Sequence, residues 1–186
     1  MHSQTFSIAL VSLFAALIAV FGLIPKIDLP LGVPITLQTL GVMMAGAMLG
    51  AKRGFQTVAL FLVAVALGLP LLSGGRGGLG VFFGPASGYL IGWPLGAFVT
   101  GWIMSTLPAT TPRQSAMSAF LASAIGGLLV VHIFGVVGLV QIANLSWEQA
   151  IMGTLVFVPG DLIKCGLCAA VVHTVARGLP DWRFGG

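Results

Sequence analysis

The chain has 186 residues, of which 58% are hydrophobic and only 6% are charged, with a net charge of +4 and a mean hydropathy of +1.09. A soluble domain carries about 25% charged residues, so this composition excludes a soluble enzyme and indicates an integral membrane protein, in which excess positive charge is typical of cytoplasmic loops rather than of nucleic-acid binding. At roughly 20 apolar residues per span, residues 1–186 hold about six membrane helices in one domain, with no room for a cytosolic ATPase.

The first predicted span covers residues 4–23. We expect it to be retained in the protein, because no basic segment precedes it and no small-residue cleavage site follows it. Pro25, Pro30 and Pro34 then prevent regular helix in the segment PKIDLPLGVP. The second span, residues 35–50, is short, so its full crossing requires a thinner bilayer or an irregular entry at membrane depth.

Two further spans flank a glycine-rich loop. The third span is predicted at residues 54–72, the loop SGGRGGLGVFFGPASG at residues 73–88 and the fourth span at residues 89–107. The polar linker PATTPRQS follows, and the fifth span is predicted at residues 116–142.

The last apolar stretch, residues 147–177, is too long for one crossing. As a single helix it would measure about 46 Å, whereas the hydrocarbon core is about 30 Å thick. Ser146 followed by Gln149 is a capping-box pattern, which predicts a helix start. Pro159 divides the stretch into a short outer helix, residues 147–157, and a sixth span that begins at the proline, where proline is tolerated.

The distribution of basic residues predicts the orientation of these spans. With six spans, both termini lie on one side of the membrane together with five basic residues, and only two lie on the other side. By the positive-inside rule, both termini are therefore expected in the cytoplasm. The five residues on the terminal side are Lys52, Arg53, Arg113, Arg177 and Arg183, and the other two are Lys26 and Arg76.

Two opposite charges stand in the sixth span. Asp161 and Lys164 are three residues apart, so they share one helix face, and each costs about 2.5–3.5 kcal/mol at the centre of a bilayer. One interpretation is structural: an ion pair that closes the bundle, a lysine that reaches the interface, or an aspartate that favours the helix dipole. The other is a binding site, in which the ammonium holds a carboxylate, the aspartate accepts hydrogen bonds from N–H groups, and the helix start favours an anion.

Four other polar residues have both a structural and a functional interpretation. Arg76 lies in the glycine loop, which either lets the backbone approach a ligand closely or is a plain connector. Gln38 and Tyr89 supply polar groups to a cavity, or a helix–helix hydrogen bond and an interfacial aromatic. His132, at membrane depth, lines the cavity or bonds as a neutral ring to a neighbouring helix.

The chain shows no catalytic or metal-binding pattern. Cys165 and Cys168 have redox or metal spacing, but no second ligand pair lies nearby, so we interpret them as packing residues. The sequence contains no G-x-S-x-G, H-E-x-x-H or paired-acid arrangement. We therefore expect neither an enzyme nor a metal protein.

The first span carries small residues at a spacing of four. Ser12 pairs with Ala16, and Ala15 pairs with Ala19. Such faces allow another helix to approach closely. They either pack within the bundle or form a docking surface for a partner protein.

Three dispersed blocks resemble the BioY family, the biotin-binding S components of energy-coupling factor (ECF) transporters. They are VPITLQTLGVMMAGAMLGAKRG at residues 33–54, LPLLSGGRGGLGVFFGPASGYLIGWPLGAF at residues 69–98 and VPGDLIKCGLCA at residues 158–169. The family's GPTGGYL reads GPASGYL here, with Ala86 and Ser87 replacing threonine and glycine. This difference weakens any specific role for a hydroxyl at position 86, unless Ser87 supplies the hydroxyl instead.

The resemblance implies biotin as the ligand, without a cofactor. Asp161 would accept the ureido N–H, and Lys164 would hold the carboxylate with help from Arg76, although the two roles can be exchanged because the groups are close together. The glycine loop would cover the outward-facing pocket. Further contacts would come from Gln38, Tyr89 and Gly84.

The resemblance also implies partners in a prokaryotic plasma (inner) membrane. The small-residue face with Ala15 and Ala19 would meet a transmembrane coupling subunit, and because the chain lacks a Walker motif, ABC-type ATPase subunits would hydrolyse ATP. These subunits would be dedicated to this chain, shared with other S components, or dispensable. The alternatives are a stand-alone channel or secondary carrier, which would need inverted repeats, and a membrane enzyme with Asp161 as acid or base.

Overall fold

The computed structural model describes residues 2–29 and 32–185, so Pro30, one of the expected helix-breaking prolines, lies outside the described residues. Within them the chain is helical and has no β-strand, only isolated bridges. A π-helix, Ser123–Val130, joins α4 to α5, and a short 3₁₀ helix covers Leu79–Phe83. The α-helices are α1 His2–Gly22, α2 Gln38–Ala66, α3 Ser87–Thr106, α4 Pro112–Ala122, α5 Val131–Ile142, α6 Trp147–Leu155 and α7 Val158–Gly178.

Helix α2 reverses its direction at Gly50. This residue has φ 85° and ψ 176°, a conformation that glycine adopts readily and other residues rarely do. A Cβ placed on Gly54 would lie only 2.9 Å from the Cα of Gly46, whereas residues eight apart in a continuous helix are separated by about 12 Å. The two halves of α2, residues 38–49 and 51–66, therefore run side by side as a helical hairpin, as the predicted division of the second and third spans requires.

The bundle has two distinct ends. We call the end that holds the start of α2 and the glycine loop the pocket end; there Gln38 Nε2 donates to the carbonyl of Leu71 over 3.1 Å. At the opposite end, the tail end, Trp182 Nε1 donates to the carbonyl of Met48 over 3.2 Å. The C-terminal segment therefore packs beside the Gly50 turn, at the end of the bundle away from the pocket.

Two predicted helix limits were wrong by four residues or more. The helix expected from residue 116 begins at Pro112, because Thr111 accepts a hydrogen bond from the backbone N–H of Gln114 (3.2 Å) and proline occupies the first turn. The helix expected to reach residue 72 ends at Ala66. Gly68, at φ 103°, takes the chain out of the helix.

The last two helices follow the predicted division. The capping box at Ser146 is confirmed: its hydroxyl accepts from the N–H of Gln149 (3.2 Å), and the Gln149 side chain accepts from the N–H of Ser146 (3.0 Å). Helix α7 begins at Val158, with Pro159 in its first turn. This start places Asp161 and Lys164 at the pocket end of the bundle.

Glycines let α2 and α3 approach closely. A Cβ on Gly46 would lie 2.4 Å from the carbonyl oxygen of Ala97, and a Cβ on Gly101 would lie 2.3 Å from the N atom of Ala51. Backbone atoms cannot move aside as a flexible side chain can. The contact between these helices therefore requires glycine at both positions.

Four helical segments in the described residues are long and apolar enough to cross a membrane. They are Gln4–Gly22, Gln38–Ala66 with its two antiparallel halves counted as one stretch, Pro112–Ile142 and Val158–Gly178. Helix α3 has 20 residues but is not one of these four, because its mean hydropathy is lower. The architecture is that of a multi-pass membrane protein.

Candidate ligand-binding site

A pocket opens at the pocket end of the bundle, between α2, α3, α5, α7 and the two irregular loops. Its cavity volume is about 50 Å³, within a total empty space of about 530 Å³ that includes the open mouth. Apolar side chains form most of its wall, and a few polar groups converge on it, which is typical of small-molecule sites. The polar lining residues are Thr36, Gln38, Thr39, Arg76, Tyr89, His132, Asp161 and Lys164, and the main apolar ones are Val33, Leu72, Leu90, Trp93, Val131 and Phe157.

The two charges of α7 meet inside this pocket. Lys164 Nζ donates to Asp161 Oδ1 over 2.7 Å. Asp161 is 4% exposed and Lys164 is 7% exposed. The predicted shared face of the helix is thus observed, and the acid and amine neutralise each other.

Two residues from other helices complete this polar cluster. His132 Nε2 lies 2.9 Å from the second carboxylate oxygen of Asp161, Oδ2. Thr39 Oγ1 accepts from Lys164 Nζ over 2.8 Å and lies 3.4 Å from Asp161 Oδ1. Of the two alternatives for His132, both hold at once: it lines the cavity and bonds to a neighbouring helix. Thr39 was missed, because a single hydroxyl in an apolar span carries no distinctive sequence signal.

Three aromatic rings form one side of the pocket. The ring centroids of Tyr89, His132 and Phe157 lie 5.8 to 6.2 Å from one another. The hydroxyl of Tyr89 is 2.7 Å from the hydroxyl of Thr154 in α6. Gly135 makes room for the ring, since a Cβ there would lie 2.2 Å from the ring atom Cε1 of Tyr89. The short helix α6 is therefore tied to the pocket wall.

Gln38 links three segments of the chain at the pocket mouth. Its Nε2 donates to the carbonyls of Ile18 (3.2 Å) and Leu71 (3.1 Å), and its Oε1 accepts from the N–H of Ser73 (3.0 Å). Both amide N–H groups are thus engaged with backbone. The residue therefore positions the glycine loop against α1.

Arg76 and Gly84, the two predicted site residues of the glycine loop, lie in different places. Arg76 is half-buried in the pocket lining, and its Nε donates to the carbonyl of Ser73 over 3.2 Å. Gly84 lines a neighbouring surface cavity of the same loop rather than the pocket itself. Its φ of −95° is open to any residue.

The two small-residue pairs of α1 face different surroundings. Ser12 and Ala16 are exposed, whereas Ala15 and Ala19 are half-buried and pack against the core. In the crossing segment of α1, 22% of the residues are buried, the smallest share among the four membrane-capable segments. The exposed pair is thus the more accessible to another helix.

Comparison with known proteins gives matches over nearly the whole chain. The family model described as the BioY family matches residues 1–181. The biotin transporter BioY of Rhizobium etli is 46% identical over 95% of this chain and 96% of its own length. The biotin transporter BioY of Rhodobacter capsulatus is 44% identical over 94% of this chain and 95% of its own length.

A solved structure has the same fold. It is the S-component for biotin from an ECF-type ABC transporter, and it superposes with a TM-score of 0.87 at 32% identity. The superposition covers 95% of this chain and 93% of the solved one.

Proposed function

The chain belongs to the BioY family, and on this premise we propose that it captures biotin as the substrate-binding S component of an ECF-type transporter. The observation that carries the proposal is the buried acid–amine pair of Asp161 and Lys164 in a pocket lined mainly by apolar side chains. Biotin matches such a pocket, because it combines an apolar middle with a ureido group at one end and a carboxylate at the other. The relatives of this chain are transporters, so we assign no catalytic reaction to Asp161.

We propose that Asp161 and Lys164 recognise the ureido end together. A ureido group presents an N–H donor beside a carbonyl acceptor, and Oδ1 and Nζ lie 2.7 Å apart as an acceptor beside a donor. The carboxylate of biotin stands at the end of a four-carbon chain. Lys164 would reach it only by leaving Asp161 and Thr39, so the expected carboxylate contact of Lys164 is reassigned to the ureido oxygen.

Arg76 is the cation that we propose for the ligand carboxylate. It lines the same pocket from the glycine loop, and a guanidinium has five N–H donors, of which the Nε–H is engaged with Ser73. Gln38 and Tyr89 complete the binding wall. Gly84 belongs to the loop that we propose to cover the bound ligand.

We further propose that residues 1–186 form one integral membrane domain with six spans and both termini in the cytoplasm of a prokaryotic cell. The spans would be α1, the two halves of α2, α3, the helix 112–142 and α7. The opposite positions of the pocket end and the tail end support this alternation. The basic residues near the tail end, including those after the Gly50 turn, support the cytoplasmic position of that end.

The energising partners would be a transmembrane coupling subunit and ABC-type ATPases. The structural neighbour is an S component of an ECF-type ABC transporter, and the printed sequence has no Walker motif. We propose that the coupling subunit docks on α1, with Ser12 and Ala16 at the surface and Ala15 and Ala19 beside them.

Titration calorimetry of the purified protein in detergent tests the binding proposal. The wild type is expected to bind biotin and desthiobiotin saturably at one site, since both ligands keep the ureido group and the carboxylate. Asp161→Asn should weaken both by tenfold or more, on the order of one hydrogen bond to a charged group. A wild type that binds neither ligand would overturn the function, and unchanged affinity in Asp161→Asn and Lys164→Ala would remove the site assignment alone.

A further inference from the structure

His132 holds the one oxygen of Asp161 that Lys164 does not occupy. Its Nε2 lies 2.9 Å from Oδ2, while Lys164 Nζ lies 2.7 Å from Oδ1. His132 belongs to α5, whereas Asp161 and Lys164 both belong to α7. The contact is therefore a restraint on the carboxylate that comes from outside its own helix.

The chemistry of this contact defines the roles of the atoms. An ionised carboxylate only accepts hydrogen bonds, so Nε2 of His132 carries a hydrogen and donates it to Oδ2. A carboxylate held at one oxygen cannot rotate about its terminal bond without breaking that hydrogen bond. Oδ1 is consequently kept in a fixed direction, beside the ammonium of Lys164.

The imidazole itself is fixed by its neighbours. It meets the ring of Tyr89 edge-on, with an interplanar angle of 80° and a centroid distance of 6.2 Å, and it packs against Phe157 at 6.1 Å. His132 is 8% exposed. Packing on two sides leaves the ring little freedom to swing away from Asp161.

The π-helix Ser123–Val130 determines which way His132 faces. It ends two residues before His132, and its wider turn changes the angular position of every later residue relative to a continuous α-helix. Its two glycines lie against neighbouring helices: a Cβ would be 2.3 Å from Thr100 Oγ1 at Gly126 and 2.3 Å from Met43 Cγ at Gly127. These contacts hold the segment in place.

We propose that His132 is the positioning residue of the biotin site. By occupying Oδ2 it presents Oδ1 of Asp161, together with Lys164, as a fixed acceptor–donor pair to the ureido group. This inference rests on the proposed function. It assigns His132 to the recognition of the ureido end, and not to the recognition of the carboxylate.

Calorimetry with three His132 variants, biotin and the amide of biotin tests this role. His132→Phe keeps a ring but loses the donor, and the Kd for biotin should rise about tenfold or more. His132→Gln places an N–H near the position of Nε2 and should restore most of the affinity, whereas the shorter His132→Asn should not. His173→Phe, a histidine substitution near the other end of α7, is the control and should bind like the wild type.

A second readout separates positioning from mere stability. The ratio of the Kd for the amide to the Kd for biotin measures the recognition of the carboxylate, and it should be the same in wild type and His132→Phe. The inference is wrong if the Kd of His132→Phe for biotin lies within threefold of the wild-type value. It is also wrong if His132→Gln binds biotin no more tightly than His132→Asn. If the wild type itself fails to bind biotin, the proposed function fails instead. If His132→Phe does not fold, the comparison of biotin affinity between His132→Gln and His132→Asn still tests the inference.

Discussion

The ammonium of Lys164 lies 2.7 Å from Oδ1 of Asp161, one helical turn away on α7, with the two side chains 8% and 5% exposed. Charges that are so little exposed depend on each other, because burial removes most of the solvation that each would have in water. Removing one partner of a buried pair is therefore more costly than removing both.

The first prediction uses this dependence. Lys164→Met should lower the free energy of unfolding by about 3–5 kcal/mol, because it leaves the buried Asp161 without the ammonium that compensates its carboxylate. The double variant Lys164→Met with Asp161→Asn should recover most of this loss and still fail to bind biotin. Thermal unfolding of the ligand-free protein in detergent measures the effect.

The matched control is the pair of Lys26 and Asp28, which lies at the surface with side chains 25% and 72% exposed. Lys26→Met should change the free energy of unfolding by only about 0–1 kcal/mol. A double variant as unstable as Lys164→Met would contradict the interpretation of the buried pair.

The second prediction separates the two ends of the ligand. Arg76→Ala should weaken biotin binding about tenfold, but should hardly change binding of the amide of biotin, which has no carboxylate for the guanidinium to meet. Lys164→Ala should weaken both ligands. Calorimetric titration of each variant with each ligand measures the four affinities. Equal loss of both ligands in Arg76→Ala would exclude Arg76 as the carboxylate partner.

The third prediction concerns Gln38. Gln38→Leu leaves the carbonyls of Ile18 and Leu71 and the N–H of Ser73 without their partner, each at about 1–3 kcal/mol if buried. The midpoint of thermal unfolding should fall, and the glycine loop should become more sensitive to protease. Gln38→Glu keeps an acceptor for Ser73 but loses both donors, so it should also destabilise the protein. A stable Gln38→Glu variant would show that the two donated bonds contribute little.

The fourth prediction compares two Gly→Ala substitutions. At Gly101 the new Cβ would lie 2.3 Å from the backbone of Ala51 at the Gly50 turn, and overpacking costs about 1–3 kcal/mol. At Gly166, on α7, no atom lies within 4 Å of the new Cβ, and alanine in place of a helical glycine is expected to stabilise by about 0.5–1 kcal/mol. The free energy of unfolding should therefore fall in Gly101→Ala and rise in Gly166→Ala.

The fifth prediction concerns docking on α1. Ala16→Phe changes an exposed position, so biotin binding by the purified protein should remain while biotin uptake by cells that also express the coupling and ATPase subunits is lost. Ala15→Phe changes a half-buried position in contact with the core, so it should reduce both stability and uptake. Normal biotin uptake by Ala16→Phe would show that the coupling subunit does not dock on this face of α1.

Patterns within a single segment predicted much of the fold. Low charge and long apolar runs indicated membrane helices, and Ser146 with Gln149 marked a helix start because both partners of a capping box lie in one turn. The predicted helix limits, residues 116 and 72, differ by four and six residues from the observed limits at Pro112 and Ala66. Both depend on local backbone geometry, the cap at Thr111 and the positive φ of Gly68, and apolar composition does not report either one.

Only part of the binding cluster could be predicted from the sequence, because sequence patterns report residues that are close together along the chain. Asp161 and Lys164 share a helix face by spacing alone, so the sequence was sufficient to place them side by side, with their ion pair as one of the interpretations. The further partners of Asp161 are distant along the chain, 29 residues away for His132 and 122 for Thr39. The apolar character of the helices, in contrast, is a property of composition, because a bilayer excludes unpaired charge. Only the tertiary structure decided those contacts, because they depend on the reversal at Gly50, the rotation introduced by the π-helix and the glycine contacts that let the helices approach.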